Sequence, residues 1–323
     1  MRIVVPAGGV GAARFLRGLK AAAPDAAITV IGNTGDDITL FGLRICPDLD
    51  TVMYTLGGGV NAERGWGRSG ETLSVREELA AYRAEPLWFT LGDRDIATHI
   101  LRTQLLGSGH PLSAVTRILC ERWQPGVTLL PMTDDRVETH VAISGGDLPP
   151  GQRRIHFQEW WVRYGAGIPA TDIAAVGAAD AVPAPGVLEA IAAADIVLLP
   201  PSNPVVSIGT ILHVPGIREA LERKVVVGVS PIIGGAPVRG MADACLAAIG
   251  VPASAASVAE WYGPRLLNGW LVDDADKAAA ADPALSNIAV RVCPLYMHDL
   301  NATSQIAMEC LDLATDLRSG RHR

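Results

Sequence analysis

The chain has few cysteines, no block of basic residues and no long apolar run. Its five cysteines lie far apart in 323 residues, without metal-ligand spacing, which argues against a zinc site or a disulfide framework and favours reduced core thiols. The formal net charge of -7 gives little support to a nucleic-acid surface. No apolar run reaches the ~20 residues that span a bilayer, and the N-terminus begins with a predicted strand instead of a signal peptide. We therefore expect a cytoplasmic protein with no nucleic-acid or membrane partner.

What the sequence does contain is a regular alternation of short β-branched runs and longer Ala- and Leu-rich stretches. This pattern is typical of parallel strands joined by crossover helices. Apolar runs predict central strands at 2–7, 28–32, 195–200 and 225–230, and a further strand and a closing helix (298–317) at the C-terminal end. Helices are predicted at 12–22, 186–194, 215–223 and 239–249. We predict a single α/β domain over residues 1–323, with a doubly wound, Rossmann-like, mostly parallel sheet.

Residues 60–170 have a different residue pattern and are interpreted as an insertion subdomain of helices and antiparallel strands within that domain. Charged helical segments at 72–84, 94–106 and 111–123 precede two alternating stretches, VETHVAI and RRIHFQEWWVRY. Five of the seven tryptophans fall in this region. Their rings could stack a planar ligand or form the core of the insertion itself.

The stretch VVPAGGVGAARFLRGL, residues 4–19, passes from an apolar strand through three glycines into a helical pattern. Free backbone N–H groups at such a helix N-terminus bind anions. The residues predicted to bind phosphate are Gly8, Gly9, Val10, Gly11 and Ala12. A dinucleotide site is disfavoured, because Arg14 stands where the fingerprint requires Gly or Ala and no acidic ribose ligand ends the second strand. The lysine of a Walker motif is also missing.

The second strand leads into GNTGDDITLFGLRICPDLDTVMYTLGG, which holds four carboxylates: Asp36, Asp37, Asp48 and Asp50. Ligands of open α/β sheets collect where strand ends open at the switch point, so these carboxylates should face the same cleft as the glycines. Carboxylates beside an anion site repel the anion unless a divalent cation lies between them. We therefore predict Mg²⁺ bridging a diphosphate, with Asp36 and Asp50 as the main ligands and Asp37 as a third. Asp48, after Pro47, is equally well explained as a turn or cap residue.

Two loops rich in Ser, Pro and Gly follow neighbouring predicted strands, at 200–209 and 229–240. An ordinary connection explains either loop alone, but two at adjacent strand ends favour a nucleotide pocket. The residues predicted to bind its base and ribose are Ser202, Asn203, Pro204, Ser207, Ser230, Gly234 and Gly235.

Blocks along nearly the whole chain resemble the phospholactate transferase family of deazaflavin coenzyme (coenzyme F-420) biosynthesis, and most closely its actinobacterial members. These blocks are GGVGAARFLRGL, NTGDDITLFGLRICPDLDTVMYTLGGG, WFTLGDRDIATH, HFQEWWVRY, PSNPVVSIGTIL and SPIIGGAPVRGMAD. The chain departs from the family pattern at Ala12, where the typical turn has a second glycine, and at Thr39, where relatives vary. Neither difference removes a carboxylate.

The resemblance implies a magnesium-dependent transferase that works as a homodimer. In the family reaction, the primary hydroxyl of the deazaflavin Fo attacks the phosphorus that carries a three-carbon acid in a guanosine diphosphate-linked donor, and GMP leaves. Family members use lactyl, enolpyruvyl or glyceryl donors. The similarity to actinobacterial members favours the enolpyruvyl donor, with phospholactyl as the alternative.

The chemistry of the motifs agrees with this reaction, since phosphoryl transfer depends on positioning and charge neutralisation. The glycine turn would hold the diphosphate, and Asp36 and Asp50 would be catalytic, binding Mg²⁺ while one of them orients or deprotonates the hydroxyl. The residues expected at the deazaflavin are Trp88, Thr90, Asp93, His99 and Arg136.

Two other functions stay open from the sequence. One is an NAD(P)-dependent oxidoreductase, against which the missing fingerprint counts. The other is a non-catalytic sensor of nucleotide sugars, because a related uridine-nucleotide-binding family shares the fold and the glycine-rich opening. Replacing Asp36 or Asp50 should abolish turnover in an enzyme, whereas a sensor would lose only binding.

Overall fold

The structure, a computed structural model, describes residues 1–145 and 153–320. Its strands are β1 (Arg2–Ala7), β2 (Ala27–Gly32), β3 (Ile38–Leu40), β4 (Leu43–Ile45), β5 (Thr128–Pro131), β6 (Glu138–Ile143), β7 (Arg154–His156), β8 (Ala170–Val176), β9 (Ile196–Leu199), β10 (Val226–Val229), β11 (Ile232–Ile233), β12 (Ala236–Pro237), β13 (Gly269–Val272) and β14 (Ala289–Val292). Its α-helices are α1 (Gly9–Ala22), α2 (Pro47–Leu56), α3 (Ser74–Ala81), α4 (Asp93–Gly107), α5 (Leu112–Trp123), α6 (Val187–Ala193), α7 (Thr210–His213), α8 (Ile217–Leu221), α9 (Ala242–Ala248), α10 (Ala255–Tyr262) and α11 (Leu300–Arg318).

Seven strands form one parallel sheet in the order β14-β13-β10-β9-β1-β2-β5. Numbered by their sequence within this sheet, the strands follow the 3-2-1-4-5-6 order of the doubly wound Rossmann fold, with a seventh strand added. The predicted fold class is confirmed. The winding reverses between β1 and β9, so the carboxyl ends of these two strands open the crevice where such folds bind ligands.

Apolar side chains cover both faces of the sheet, as the continuous apolar runs predict. Ile3 and Val5 of β1 join a core cluster with residues of α1, α2 and α11, whereas Val4 between them joins the cluster under α6 to α10. Successive residues of a strand point to opposite faces, so a central strand covered by helices on both sides must be apolar throughout.

The four predicted central strands all lie in this sheet, which also contains two strands that were not predicted, β5 and β13. The strand β5 falls inside the proposed insertion, residues 60–170, and pairs with β2. That region therefore supplies an edge strand to the main sheet as well as α3 to α5. The division of the chain into a main part and an insertion stays a prediction.

The strands β6, β7 and β8 form a separate antiparallel sheet in the order β7-β6-β8. The VETHVAI stretch is a strand, as predicted, but RRIHFQEWWVRY is extended only as far as His156. It then turns into a π-helical segment, Glu159–Arg163. Phe157 and Trp160 are both buried, and their separation of three positions matches a helical period, not the alternation of a strand.

Two predictions from composition can be compared with the structure. All five cysteines are free. None of the helices in the described residues is both long enough and apolar enough to cross a bilayer.

Candidate functional site

The glycine turn lies at the switch point, between β1 and α1. The helix begins at Gly9, three residues before the predicted start, and Gly8 is its N-cap. A Cβ atom on Gly8 would stand 2.6 Å from Ser207 Cβ and 2.7 Å from Asp48 Oδ2, and one on Gly11 would collide with the carbonyl oxygen of Pro201. The close approach of the loop after β9 and of α2 therefore requires glycine at both positions.

Asp48 lies in the first turn of α2, which begins at Pro47. Proline suits this first helical position because its φ is already helical and its missing N–H would have no partner there. The Asn33 side-chain amide donates to Asp48 Oδ2 (2.9 Å) and to the carbonyl of Val206 (3.2 Å). Asn33 thus joins the end of β2 to α2 and to the loop after β9.

Asp36 is held close to the same point by the turn after β2 and by the antiparallel sheet. The Asn33 side-chain oxygen accepts a hydrogen bond from the Gly35 N–H (2.9 Å), and Gln158 Nε2 donates to Asp36 Oδ2 (3.3 Å). Among the described residues, Asp36 Oδ1 is buried without a hydrogen-bond partner. One carboxylate oxygen therefore remains available at the centre of the site.

Burial and mutual repulsion perturb the two carboxyl groups. Burial, followed by the charge of Asp48, raises the pKa of Asp36 well above its usual range. Burial raises the pKa of Asp48 to about 6, and hydrogen bonds from Asn33 and from the Gly9 N–H oppose this rise. Two buried carboxylates and an unpartnered oxygen beside the glycine turn fit a divalent cation with oxygen ligands.

Asp50 lies on the opposite side of α2, because residues two positions apart on a helix do not share a face. Its carboxylate is paired with the buried guanidinium of Arg102, and Oδ2 lies 3.8 Å from His99 Nδ1. His99 Nε2 lies 3.5 Å from Asp95 Oδ2, and the Tyr54 hydroxyl donates to Asp95 Oδ1 (2.7 Å). Asp50 thus belongs to a second acidic cluster, between α2 and α4.

This second cluster could also accept a metal ion, since one ligand atom each of Asp50, Asp95 and His99 lies within 4.8 Å of the others. Its charges are already partly balanced, however. Arg102 pairs with Asp50 and places Nη1 3.1 Å from His99 Nδ1. No arginine contacts the carboxylates of Asp36 and Asp48 among the described residues, so that pair has the greater need for a cation.

Asp37, the third predicted metal ligand, is buried beside Arg44. Its Oδ2 lies 3.3 Å from Arg44 Nη2. Burial raises the pKa of Asp37 to about 7, and Arg44 opposes the rise. Of the three ligands predicted, the structure therefore brings Asp36 together with Asp48 and pairs Asp37 and Asp50 with arginines. The metal-binding roles themselves stay predictions.

The first predicted guanosine loop adjoins the glycine turn. The Ser202 hydroxyl donates to the Gly8 carbonyl (2.9 Å), and Ser207 is buried against Gly8. The side-chain oxygen of Asn203 accepts from two N–H groups of the π-helical segment that begins at Pro204. These contacts fix the loop, and they occupy several of the polar groups predicted for the base and ribose.

The second predicted guanosine loop forms the hairpin of β11 and β12. Gly234 and Gly235 are its turn, with φ of +58° and +83°, and the Gly234 N–H donates to Asp276 (2.9 Å). The Ser230 hydroxyl donates to the carbonyl of Ile232 (2.7 Å). The positive φ angles of this turn explain why both positions are glycine, and their role at a ligand stays a prediction.

The five residues predicted at the deazaflavin are spread over several environments. Trp88 packs near the β3–β4 hairpin. Asp93 accepts hydrogen bonds from the N–H groups that begin α3, His99 is buried in the second acidic cluster, and Arg136 pairs with Glu138 while 73% exposed. Thr90 is half-buried in the segment before α4. The structure does not bring these five side chains to one point.

Asn33, Asp48 and Gln158 are the site residues to which the sequence analysis assigned no role or only an ambiguous one. Pro47 as a helix-starting residue was the available signal for Asp48, because it predicts a helix on which Asp48 and Asp50 point apart. Gln158 carries no such signal. Its contact with Asp36 spans 122 positions and depends on how the antiparallel sheet folds over the crevice.

Comparison with known proteins identifies the family. The model of the family described as "2-phospho-L-lactate transferase CofD" matches residues 3–310. A Thermobifida fusca protein named phosphoenolpyruvate transferase is 65% identical over 98% of this chain and 99% of its own length. Proteins of the same name from Streptomyces coelicolor (64%; 98% of this chain, 99% of that protein) and Mycolicibacterium smegmatis (53%; 97% and 99%) also match.

Solved structures match in fold. A Bacillus halodurans protein, described as a member of the UPF0052 family, superposes with a TM-score of 0.62 in one crystal structure and 0.59 in another. Both alignments cover 96% of this chain and 99% of that one, at 18% identity. This likeness supports the doubly wound architecture and carries no information about substrates.

Proposed function

The chain belongs to the 2-phospho-L-lactate transferase family, and from this premise we propose that it transfers a phosphoenolpyruvyl group to the deazaflavin Fo in coenzyme F-420 biosynthesis. The donor is a guanosine diphosphate-linked enolpyruvyl compound. The names of its actinobacterial relatives support the enolpyruvyl donor over the phospholactyl one. The observation that carries the proposal is the pair of buried carboxylates, Asp36 and Asp48, at the glycine turn of the switch point.

The reaction is a substitution at phosphorus. The primary hydroxyl oxygen of Fo forms a bond to the phosphorus that bears the three-carbon acid, and the bond from that phosphorus to the bridging oxygen of the diphosphate breaks. GMP leaves with the bridging oxygen, and the hydroxyl proton passes to a base. The product is a phosphodiester of Fo, and no oxidant or reductant is needed.

Asp36 and Asp48 would hold the Mg²⁺ ion, with Asp48 taking the place first assigned to Asp50. When bound, this cation neutralises charge on the diphosphate and on the departing phosphate. The backbone N–H groups of the glycine turn bind the phosphate oxygens. Asp36 is the better placed of the pair to accept the hydroxyl proton, since its Oδ1 accepts no hydrogen bond, whereas Asp48 accepts hydrogen bonds from both Asn33 and the Gly9 N–H.

The other roles follow from position. The Ser202–Ser207 and Ser230–Gly235 loops follow β9 and β10 and would hold the guanosine. The deazaflavin would enter from the side of Trp88 and Thr90, between the β3–β4 hairpin and the start of α4. We propose a homodimer as the working form, which sedimentation of the purified protein tests directly.

A mass-resolved assay tests the proposed reaction. Purified protein is incubated with Mg²⁺, Fo and the enolpyruvyl, lactyl or glyceryl donor, singly and in competition, with EDTA as the control. We expect metal-dependent GMP release and a product heavier than Fo by one phosphoenolpyruvyl group. Guanosine nucleotide binding without product from any donor would contradict the proposal and favour a nucleotide sensor.

Variants test which carboxylates matter. Asp36→Asn and Asp48→Asn should each lower turnover by at least ~100-fold, because each removes one of two carboxylate ligands. Asp25→Asn is the control and should leave turnover unchanged, because Asp25 is exposed and lies before the amino end of β2, away from the glycine turn. If Asp50→Asn abolished Mg²⁺-dependent turnover while Asp48→Asn did not, the metal would belong to the second acidic cluster.

A further inference from the structure

Three arginines beside the glycine turn have no acidic partner in the described part of the chain. Arg14 and Arg17 lie on the second and third turns of α1, and Arg239 lies between β12 and α9. The ion pairs of the described residues involve other arginines. A surface that concentrates positive charge without countercharge is suited to an anionic ligand. None of the roles proposed above involves these three arginines.

The position of Gly65 shows how close these groups come to the turn. The point where a Cβ of Gly65 would stand is 2.8 Å from Val10 Cγ1, 3.3 Å from Arg239 Nη1 and 3.8 Å from Arg14 Nη2. Val10 belongs to the phosphate-binding turn itself. Arg239 is also tied in place by donating a hydrogen bond to the carbonyl of Arg64. Both guanidinium groups therefore converge beside the turn.

Repulsion among the three guanidinium groups also favours the binding of an anion here. Burial lowers the pKa of Arg14, and the charges of Arg239 and Arg17 lower it further. Such mutual repulsion costs free energy that a bound anion would relieve.

The glycine turn thus has two unlike sides. On one side Gly8 contacts Asp48 and Ser207; on the other, Val10 faces the arginines. A diphosphate lying on the turn would place the proposed cation on the first side and the three-carbon acid towards the second. The donor of the proposed function carries a three-carbon acid with a carboxylate, for which the planar fork of arginine provides bidentate hydrogen bonds.

We propose that Arg14 and Arg239 bind the carboxylate of the transferred three-carbon acid and thereby select donors that bear it. This inference rests on the proposed function and names the specificity determinants of that same site. Arg17, more exposed and one turn further along α1, adds charge to the cluster.

The test compares the donor with GDP, which has the diphosphate and guanosine but no acid. Affinities for both are measured by calorimetry, and KM for the donor by turnover, in the wild type and in Arg14→Gln, Arg239→Gln and Arg14→Lys. We expect each glutamine variant to weaken donor binding about tenfold or more, as loss of a charged hydrogen bond does, with GDP affinity unchanged. Arg14→Lys should recover only part of the donor affinity, because lysine lacks the fork.

Arg117→Gln is the matched control, since Arg117 is exposed and pairs with Glu121 on α5; circular dichroism checks that each variant is folded. An equal loss of GDP and donor affinity would assign the arginines to the diphosphate and overturn the proposal, as would no loss of either. Binding is measured without turnover, so a wild type that binds donor more tightly than GDP but makes no product would contradict the proposed function alone.

Discussion

Asp48 and Asp50 are two positions apart in the chain, yet they belong to different clusters. Proximity in sequence predicts that the four aspartates form one group. A helix that begins at Pro47 separates them by more than half a turn, so Asp48 faces the glycine turn and Asp50 faces Arg102. Asp36 could be placed from the sequence because it lies in the short turn after β2, whereas the orientation of Asp48 required the helix start.

Asp48 should destabilise the metal-free protein at neutral pH. Its pKa is raised to about 6 in the folded state from an unfolded value near 3.8, so stability falls as pH rises through this window. We expect the free energy of unfolding to fall by up to about 3 kcal/mol less in Asp48→Asn than in the wild type as pH rises, since each pKa unit corresponds to about 1.4 kcal/mol. Urea unfolding in EDTA at pH 4 and pH 8 measures the effect. The same pH dependence in variant and wild type would contradict it.

His156 should make the protein sensitive to acid. Its Nδ1 accepts a hydrogen bond from the Gln158 N–H (3.1 Å), and its Nε2 lies 3.2 Å from the carbonyl of Asp37. A proton on Nδ1 would break the hydrogen bond from the Gln158 N–H and bring two N–H donors together. Burial lowers the pKa of His156 to about 4. Because this pKa lies below the unfolded value of 6.5, the stabilisation is complete above pH 6.5 and is lost as pH falls towards 4.

The variant His156→Gln should therefore lose less stability than the wild type between pH 7 and pH 4.5, as measured by urea unfolding. His213→Gln, an exposed change on α7, is the control and should leave the pH dependence as it is. The same pH dependence in His156→Gln and in the wild type would refute the role of His156.

At the scale of elements, the apolar runs located most of the sheet, and the misses have physical causes. The strands β5 (TLLP) and β13 (GWLV) contain one β-branched residue each, against two in β9 and three in β10, and β5 directly follows charged helical segments. The helix α1 begins before its predicted start because Gly9 and Gly11 take part in it despite their low helix propensity. Packing against the loop after β9 overrides that propensity.

Gly8→Ala tests the join between β1 and α1. The new methyl group would lie within 2.7 Å of both Asp48 Oδ2 and Ser207, so α2 or the loop after β9 must move. We expect a loss of stability of about 1–3 kcal/mol from overpacking and loss of GDP binding. Gly107→Ala, at the end of α4 with no atom within 4 Å of the new methyl group, should be neutral or slightly stabilising. Unfolding curves and GDP titrations measure both, and wild-type GDP affinity in Gly8→Ala would contradict the assignment of the turn.

At the scale of the whole molecule, the strand order creates the candidate site. The ends of β1, β2 and β9 meet only because the winding reverses at β1, and this brings Gly8, Asn33 and Val206 together. The Rossmann-like order follows from the alternation of strands and helices and was predictable. The fold of β6 to β8 over the crevice was not, because antiparallel pairs on a separate sheet leave no periodic signal of where they dock.

Ligands should stabilise the molecule jointly if the cation and diphosphate share the switch point. Binding to the folded state alone adds about 2.7 kcal/mol at a ligand concentration 100 times Kd. We expect Mg²⁺ and GDP together to raise Tm more than the sum of their separate effects, and EDTA to abolish the excess. Thermal unfolding monitored by circular dichroism measures this, with Asp48→Asn as the variant that should lose the excess. Strictly additive shifts would mean that the two ligands bind apart.

The hydrogen bond from Ser202 to the Gly8 carbonyl has a consequence for the order in which a newly made chain matures. It spans 194 positions, and β1 also pairs with β9. During synthesis, β1 can pair with β2 early, but its other edge stays open until nearly two thirds of the chain has left the ribosome. The glycine turn is thus among the first segments translated and among the last completed, so shorter nascent chains expose an apolar strand edge that is prone to aggregate.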